Sequence, residues 1–507
     1  MKLKRNLAFI LPLFTFIFVF CGLLVRNIRL SSLPFYDWDE ALYAQIGSEI
    51  LKNNSLFTTF NGQLWFDKPP LLHGLIASIF VILGRSEFWT RSLMIVFGMA
   101  LLILLYLLTK QILESLFKDK IKKLNPFIKQ VVYLLPVLIT ASTNLFVEKS
   151  LFLNTDIIIA VSWVGYFVYR ESFPAKLFFL LLGVYAKSVF GFYPLLLEAF
   201  TLKRKDLKSK NILQFAFLII ISSLWYVINY IKFGNFFIKA HFLDQVFKRI
   251  IVPIELHFGG KFYYFEFLWN NLSFILILLV LGYIILSIEV LRFISKEKFT
   301  VTKSKKWWFY IVLLSPFPFF FFITLIKTKL YWYLTMLIPL FALVASYLFV
   351  KLENKIVRSI IFVAIFAYFL FNFLPQTYSL KADVSISDKV ALAKCLSGQP
   401  GKNIAFMTEI QERKNQNFLE AAHYDTTASF YYGGSPSFVY YSQKEISFFY
   451  NVDKFINEFS NYDIVVLPAE SLTADLKIKD SAEIRKSLID AEKRNYCRTR
   501  TWVAFPK

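Results

Sequence analysis

LLHGLIASIFVILG, residues 71–84, decides how this chain is laid across a membrane. It is apolar enough to pass for a span, but as a helix it reaches only about 21 Å, short of the roughly 30 Å of hydrocarbon that an untilted crossing must cover. The charges around it point the same way. Lys and Arg collect in short clusters at 110–123, 203–210, 295–306 and 351–358, and the N-terminus begins MKLKR. With 71–84 out of the bilayer and the N-terminus cytoplasmic, all four clusters fall inside, as the positive-inside rule requires. Counting the segment as a span reverses every one of them. It is therefore expected to lie along the outer interface, its start fixed by the stiff Pro69-Pro70 pair.

Working outward, candidate spans stand at approximately 7–25, 88–109, 128–147, 154–170, 175–187, 188–201, 211–231, 271–294, 307–326, 330–350 and 356–375. The pieces 175–187 and 188–201 are short. This parity leaves the N-terminus in the cytoplasm and the C-terminus outside. The opening run MKLKRNLAFILPLFTFIFVFCGLLV resembles a signal sequence with an overlong apolar region and no small-x-small site after it, so an uncleaved anchor is expected. Cys21 within it reads as a buried small hydrophobe.

The composition agrees. Of 507 residues 57% are hydrophobic, 19% aromatic and only 18% charged, where a soluble domain carries roughly a quarter charged. The 59 Phe and 27 Tyr suit a surface solvated by lipid. A formal charge of +22 would suit nucleic acid, but its confinement to loops between apolar runs excludes that partner.

After residue 380 the pattern changes. NIAFM (403–407), SFYYG (429–433), SFVYYS (437–442) and YDIVVLP (462–468) read as strands, and 481–494 as helix. The expected division is a transmembrane domain at 1–379, with a first outer loop at 26–87, and an extracytoplasmic α/β domain at 380–507. Cys395 and Cys497 lie near the two ends of the latter. An oxidising compartment permits a bridge between them, and two free thiols are the alternative.

The first outer loop carries WDEALYAQIG (38–47) and WFDKPPLLHG (65–74). Asp37 can cap the helix that follows, with Glu40 closing a capping box. That leaves Asp39 unexplained. At helical spacing it shares a face with Tyr43, and a carboxylate beside a phenol at the membrane boundary fits a general base. Asp67-Lys68 reads either as an exposed pair before a proline turn or as a lysine at headgroup depth, suited to a lipid phosphate. Asp156 in LFLNTDIIIA and Lys187 in VYAKSVFG are ionisable groups bounded by apolar sequence, functional candidates by cost, with snorkelling the competing account of Lys187. Glu148-Lys149 reads as a surface pair. The outer loop 232–270 adds Arg249, His257 and the Tyr263-Tyr264 pair. IKTKLYWYL (326–334) adds Lys327, Lys329, Tyr331 and Tyr333, which an ordinary aromatic belt would also explain. All fall on one side of the membrane, as a site for an anionic lipid substrate would. The sequence has no Gly-rich phosphate loop, metal-ligand cluster or nucleophile elbow, so neither a soluble nucleotide donor nor a cofactor is expected.

WDEALYA followed by WFDKPPLL resembles the paired DE-x-x-YA and EKPP strings of ArnT-like and protein-mannosyltransferase-like enzymes, GT-C-fold glycosyltransferases that use polyprenyl-phosphate-linked sugars. The likeness continues in order through TDIIIA (155–160), AKSVFG (186–191), the Arg249…His257…Tyr263-Tyr264 spacing and TKLYWYL (328–334), over most of residues 1–375. It implies a GT-C fold of about 11–13 membrane helices with in-plane juxtamembrane helices. By the same likeness Asp39 is the catalytic carboxylate, with Glu40 and Tyr43 beside it. Lys68 contacts the donor phosphate with help from Arg249, Asp156 lines the sugar or acceptor site, and Tyr333 matches a tyrosine of the last outer string. Asp67, Lys187, His257 and Lys329 complete the candidate substrate-binding set. The chain departs from the pattern at Leu42, where Arg or Lys is usual, at Asp67 in place of Glu, at Tyr331 where Pro is expected, and at Val246, where a His often stands; His241 does not fit the spacing.

The reading that follows is an inverting glycosyltransferase of the cytoplasmic (inner) membrane. It would move a sugar from a polyprenyl (undecaprenyl) monophosphate to a glycolipid, protein or polymer acceptor outside, lipid A among the candidates. A flippase for lipid-linked sugars would show broken midplane helices and internal repeats instead. A non-catalytic assembly protein would leave Asp39 dispensable.

Overall fold

The computed structural model describes residues 2–201, 210–253, 257–297, 305–378, 387–410, 435–493 and 496–506. The expected strand at 429–433 and most of the basic clusters at 203–210 and 295–306 lie outside these. The chain divides into two compact units: residues 1–30, 88–234 and 247–381 form one, and residues 31–87, 235–246 and 382–507 the other.

The first unit is helical. Among the described residues of the chain, 8 stretches are long and apolar enough to cross a membrane. One of them, Phe173–Ala199, is a single run by length and composition alone. Yet Lys176 Nζ, near its start, is 3.0 Å from Glu198 Oε1, near its end, where 22 residues of straight helix would part them by about 33 Å. The run is therefore a helical hairpin. Helix Phe173–Lys187 rises, a 3-10 turn Ser188–Phe192 reverses the chain, and Tyr193–Ala199 returns. Gly191 lies against the backbone of Gly183 and Val184, an approach that leaves no room for a Cβ. The two short pieces of the sequence reading are its arms. The run Ile212–Ile251 is likewise interrupted, at Gly234, whose φ of 56° and ψ of −135° leave the helical region.

Two helices occupy the middle of this unit. Asp156–Val168 and Leu337–Lys351 are buried on nearly every side, which their all-round apolar sequence requires. Pro126–Ala141 packs on the second of them, started by Pro126 at its first position and by Asn125, whose Oδ1 accepts from Phe127 N at 2.9 Å. Cys21 does not join the core: it is exposed, on a face of helix Lys2–Leu30 turned away from the bundle. The apolar run around it has more faces than the bundle has neighbours for.

In the second unit, helix Asp39–Asn53 packs on helix Leu71–Leu83. Gly47 allows the close approach, since a Cβ there would meet Ile76 and the His73 carbonyl. Residues 71–83 therefore form a short helix seated on the first loop. Between the two runs a β-hairpin, β1 (Thr59–Phe60) and β2 (Gln63–Leu64), turns through Asn61-Gly62, both at positive φ (51° and 77°). Buried Glu49 holds that turn, accepting from Thr59 Oγ1 and Asn61 N, each at 2.6 Å, and from Gly62 N at 3.2 Å.

The C-terminal part is α/β. Strands β3 (Asn403–Met407), β4 (Glu445–Phe449), β5 (Ile464–Pro468) and β6 (Trp502–Pro506) form one sheet in the order β4-β3-β5-β6, parallel except for β6. NIAFM and YDIVVLP supply β3 and β5, and helix Ala482–Lys493 falls where helix was expected. SFVYYS is corrected. It is helix, Pro436–Ser442, with Pro436 at its first position and Phe438, Val439 and Tyr440 all buried. A short apolar run of this kind carries no period that separates strand from helix, and it lies in the crossover between parallel β3 and β4, a connection that is usually helical. Cys395 and Cys497 are bridged.

Candidate active site

In the helical unit the hairpin turn places a lysine against a carboxylate. Lys187 ends its rising arm, and Ser188 follows at φ 59° and ψ −132°, strained for a residue with a side chain. The turn sends the Lys187 ammonium to Asp156, the first residue of helix Asp156–Val168, and the two form a buried ion pair. Lys187 Nζ also stands 5.2 Å from the centre of the Tyr333 ring. Asn154 caps the helix, its Oδ1 accepting from Ile157 N at 2.9 Å, which leaves the Asp156 carboxylate for the lysine. The structure thus brings Asp156, Lys187 and Tyr333 together.

Lys149 belongs to the same cluster and is not a surface residue. It is 8% exposed, 2.8 Å from Glu148 Oε1, with the Tyr331 and Trp332 ring centres 5.5 and 5.3 Å from its ammonium. Burial opposes its charge, but Glu148 and then Asp156 hold its pKa above the ordinary lysine value. It is buried because helix Asn144–Lys149, capped by Thr143, turns Leu145, Phe146 and Val147 inward.

Arg249, His257 and Lys329 are drawn together through backbone. Thr328 N donates to Arg249 O and Lys329 N to His257 O, each at 3.1 Å. The His257 ring meets Trp332 edge-on at 5.4 Å. The Lys329 ammonium donates to Thr324 O at 2.6 Å, at the carbonyl end of helix Pro316–Leu325, and lies 5.6 Å from the Tyr264 ring. Burial, and then Lys327, hold its pKa below the usual lysine range. A cavity of about 430 Å³ opens beside this strip, bordered by Pro253, Phe258, Gly259, Gly260 and Lys327.

The second unit holds the DE and DKPP strings. Asp39 heads its helix, is exposed, and makes no hydrogen bond or ion pair with a described residue. Glu40 is buried, its Oε2 accepting from Tyr36 N at 3.1 Å. The expected capping box is absent: Asp37 caps nothing in its own helix, and its carboxylate instead accepts from Ser437 N at 2.9 Å and Ser435 Oγ at 3.1 Å. Asp39 and Tyr43 do not form a carboxylate–phenol pair either. Tyr43 is buried with its ring edge-on to Trp65 (6.4 Å) and His73 (5.2 Å), because the helix turns that face toward 65–73. The Lys68 ammonium lies 5.4 Å from the Tyr43 ring, an aromatic seat in place of a carboxylate partner. Asp67 and Lys68 are both half-buried.

His73 escaped the sequence reading. It is fully buried, and neither ring nitrogen has a hydrogen-bond partner among the described residues. Burial, and then the Lys68 charge, push its pKa down to about 3, which keeps the ring neutral. Its place one turn into the helix after Pro69-Pro70, facing Trp65, was the available signal.

No family model matches the chain, and no curated protein matches it. Its fold does have solved counterparts. ArnT from Cupriavidus metallidurans, crystallised bound to undecaprenyl phosphate, superposes with a TM-score of 0.62 at 12% identity, over 92% of this chain and 94% of that one. The same protein in the apo state gives 0.57 at 11% identity, over 92% and 94%. The chain has an ArnT-like GT-C fold with a small C-terminal sheet.

Proposed function

We propose that this chain is an inverting membrane glycosyltransferase that takes a sugar from a polyprenyl monophosphate, of the undecaprenyl type, and passes it to an acceptor on the extracytoplasmic side. The observation that carries this reading is the ArnT-like fold along 92% of the chain, whose solved counterpart is bound to undecaprenyl phosphate. The buried Asp156–Lys187 pair supports it, since ionised groups inside apolar bundles are costly and mark substrate paths. The unencumbered carboxylate of Asp39 supports it from the other unit.

In the proposed reaction an acceptor hydroxyl attacks the anomeric carbon, the bond from that carbon to the phosphate oxygen breaks, and polyprenyl phosphate departs with the electron pair. Asp39 receives the acceptor proton. Lys68 stabilises the charge growing on the leaving phosphate, an electrostatic role that needs donors fixed before the reaction starts. Lys187 is held by Asp156, and Lys149 by Glu148, so this part of the bundle offers ammonium groups already oriented. The phosphate is a good leaving group and needs no strong acid behind it.

The test uses purified wild type and Asp39→Asn in detergent with radiolabelled undecaprenyl-phosphate sugars and a native membrane extract as acceptor. Wild type is expected to release free undecaprenyl phosphate, and Asp39→Asn to be slower by about two orders of magnitude or more. Equal turnover by both proteins would keep the enzyme and remove Asp39 from its centre. Donor binding without consumption would favour a flippase.

A further inference from the structure

The sequence DWDE places two carboxylates around one tryptophan; Asp37 is bonded on both oxygens, while Asp39 has no hydrogen bond or ion pair among the described residues. Trp38, between them, has φ 69° and ψ −121°, a conformation that a residue with a Cβ holds only when its surroundings leave no alternative. Those surroundings are specific. On its N-terminal side Asp37 is held by Ser437 N and Ser435 Oγ. Phe35 N donates to Tyr441 Oη at 2.7 Å, which in turn donates to Glu87 Oε1 at 2.6 Å. The Phe35 ring packs edge-on to Tyr440 at 5.4 Å. On its C-terminal side the helix takes over at once, with Leu42 N donating to Trp38 O at 2.8 Å and Ala41 N to Tyr36 O at 3.1 Å. Residues 35–37 are thus fastened to the 435–441 segment, residues from 39 onward belong to the helix, and Trp38 is the forced joint. Both Asp37 oxygens are occupied by that fastening.

We propose that Asp37 is a positioning residue for Asp39, and that the segment Ser435–Ser437 of the C-terminal domain, through Asp37, sets the orientation in which the Asp39 carboxylate meets the acceptor. This rests on the reading of Asp39 as the reacting carboxylate. It also gives the C-terminal domain a part in the reaction: releasing Asp37 relaxes Trp38 and lets the first turn of the helix rotate. A shift of about 1 Å at a reacting group can cost on the order of a hundredfold in rate.

The experiment compares Asp37→Ala, Asp37→Asn and Ser435→Ala in the full-length protein, by donor turnover and by hydrogen–deuterium exchange over residues 38–44. Asp37→Ala is expected to lower kcat by about tenfold or more, to leave the KM for donor within about twofold, and to speed exchange at the Ala41 and Leu42 amides. Asp37→Asn keeps an oxygen for Ser437 N, so it should recover most of kcat and the slow exchange. Ser435→Ala removes one of the two bonds and should fall between; it carries the test if Asp37→Ala does not fold. An Asn variant as inactive as the Ala variant, with exchange unchanged, would overturn the proposal by making Asp37 a reacting group itself. Wild-type exchange in both Asp37→Ala and Ser435→Ala would overturn it by showing the joint independent of the contact. Should wild type consume no donor, the glycosyltransferase reading fails, while the exchange comparison still decides whether Asp37 holds the joint.

Discussion

Removing either member of the buried Asp156–Lys187 pair takes away its partner's nearest opposite charge, a loss of about 3–5 kcal/mol for a buried pair. Lys187→Met and Asp156→Asn are each expected to lower the melting temperature in detergent. On the proposed reading, in which the pair serves the substrate, the double variant should regain most of the stability but none of the turnover. A double variant with wild-type turnover would remove the pair from the site. His73 makes a different prediction. Its folded pKa, about 3, lies below the ordinary histidine value of 6.5, so between those pH values the unfolded chain binds the extra proton and stability falls with acid. From pH 6.5 to 5 the loss is about 1.6 kcal/mol, and thermal melts of His73→Phe should lack that acid sensitivity. The residue types that bear charge among apolar neighbours were legible in the sequence. Their partners were not. Lys149 looked like a surface residue because the rings that cover it, Tyr331 and Trp332, lie far along the chain. Asp37 looked like a local cap because a serine 398 residues away leaves no trace in local spacing.

Elements were read well where one period dominated and poorly where the neighbours chose. β3 and β5, continuous apolar runs bounded by polar residues, were found. SFVYYS reads as a strand by its local pattern but is a helix, because it lies in the crossover between parallel β3 and β4. The hairpin Phe173–Ala199 was legible as two short pieces, while its closure by Lys176 and Glu198 belongs to tertiary structure. The Cys395–Cys497 bridge, open on the sequence, ties helix Asp388–Ser397 to the stretch before β6 across a sequence separation of 102. Closing a loop of about that length restricts the unfolded chain by roughly 4–5 kcal/mol in the chain-entropy account. Replacing both cysteines by Ala should therefore make the C-terminal domain the first part of the protein to open, seen as protease cleavage beyond residue 387. Unchanged cleavage would mean the sheet core, with Phe406, Phe438 and Trp502 at its centre, suffices alone.

At the scale of the molecule, the basic loops argue for leaving 71–84 out of the membrane spans, and the segment is a helix of 13 residues packed on helix Asp39–Asn53. The two-unit division depends on contacts between residues hundreds of positions apart, which no local pattern records. Two lengths in the helical unit carry a last consequence. Pro126–Ala141 has 16 residues and Asp156–Val168 has 13, so they rise only about 24 and 20 Å where the hydrocarbon is roughly 30 Å deep. Were both to cross with their far ends at the opposite interface, the chain joining them, with Lys149, Asn154 and Asp156, would sit below the headgroup level, where the bilayer thins or water comes down. On the proposed reading, a lipid phosphate would meet these residues by sinking toward them, tail still in the membrane, shedding its bulk hydration on the way.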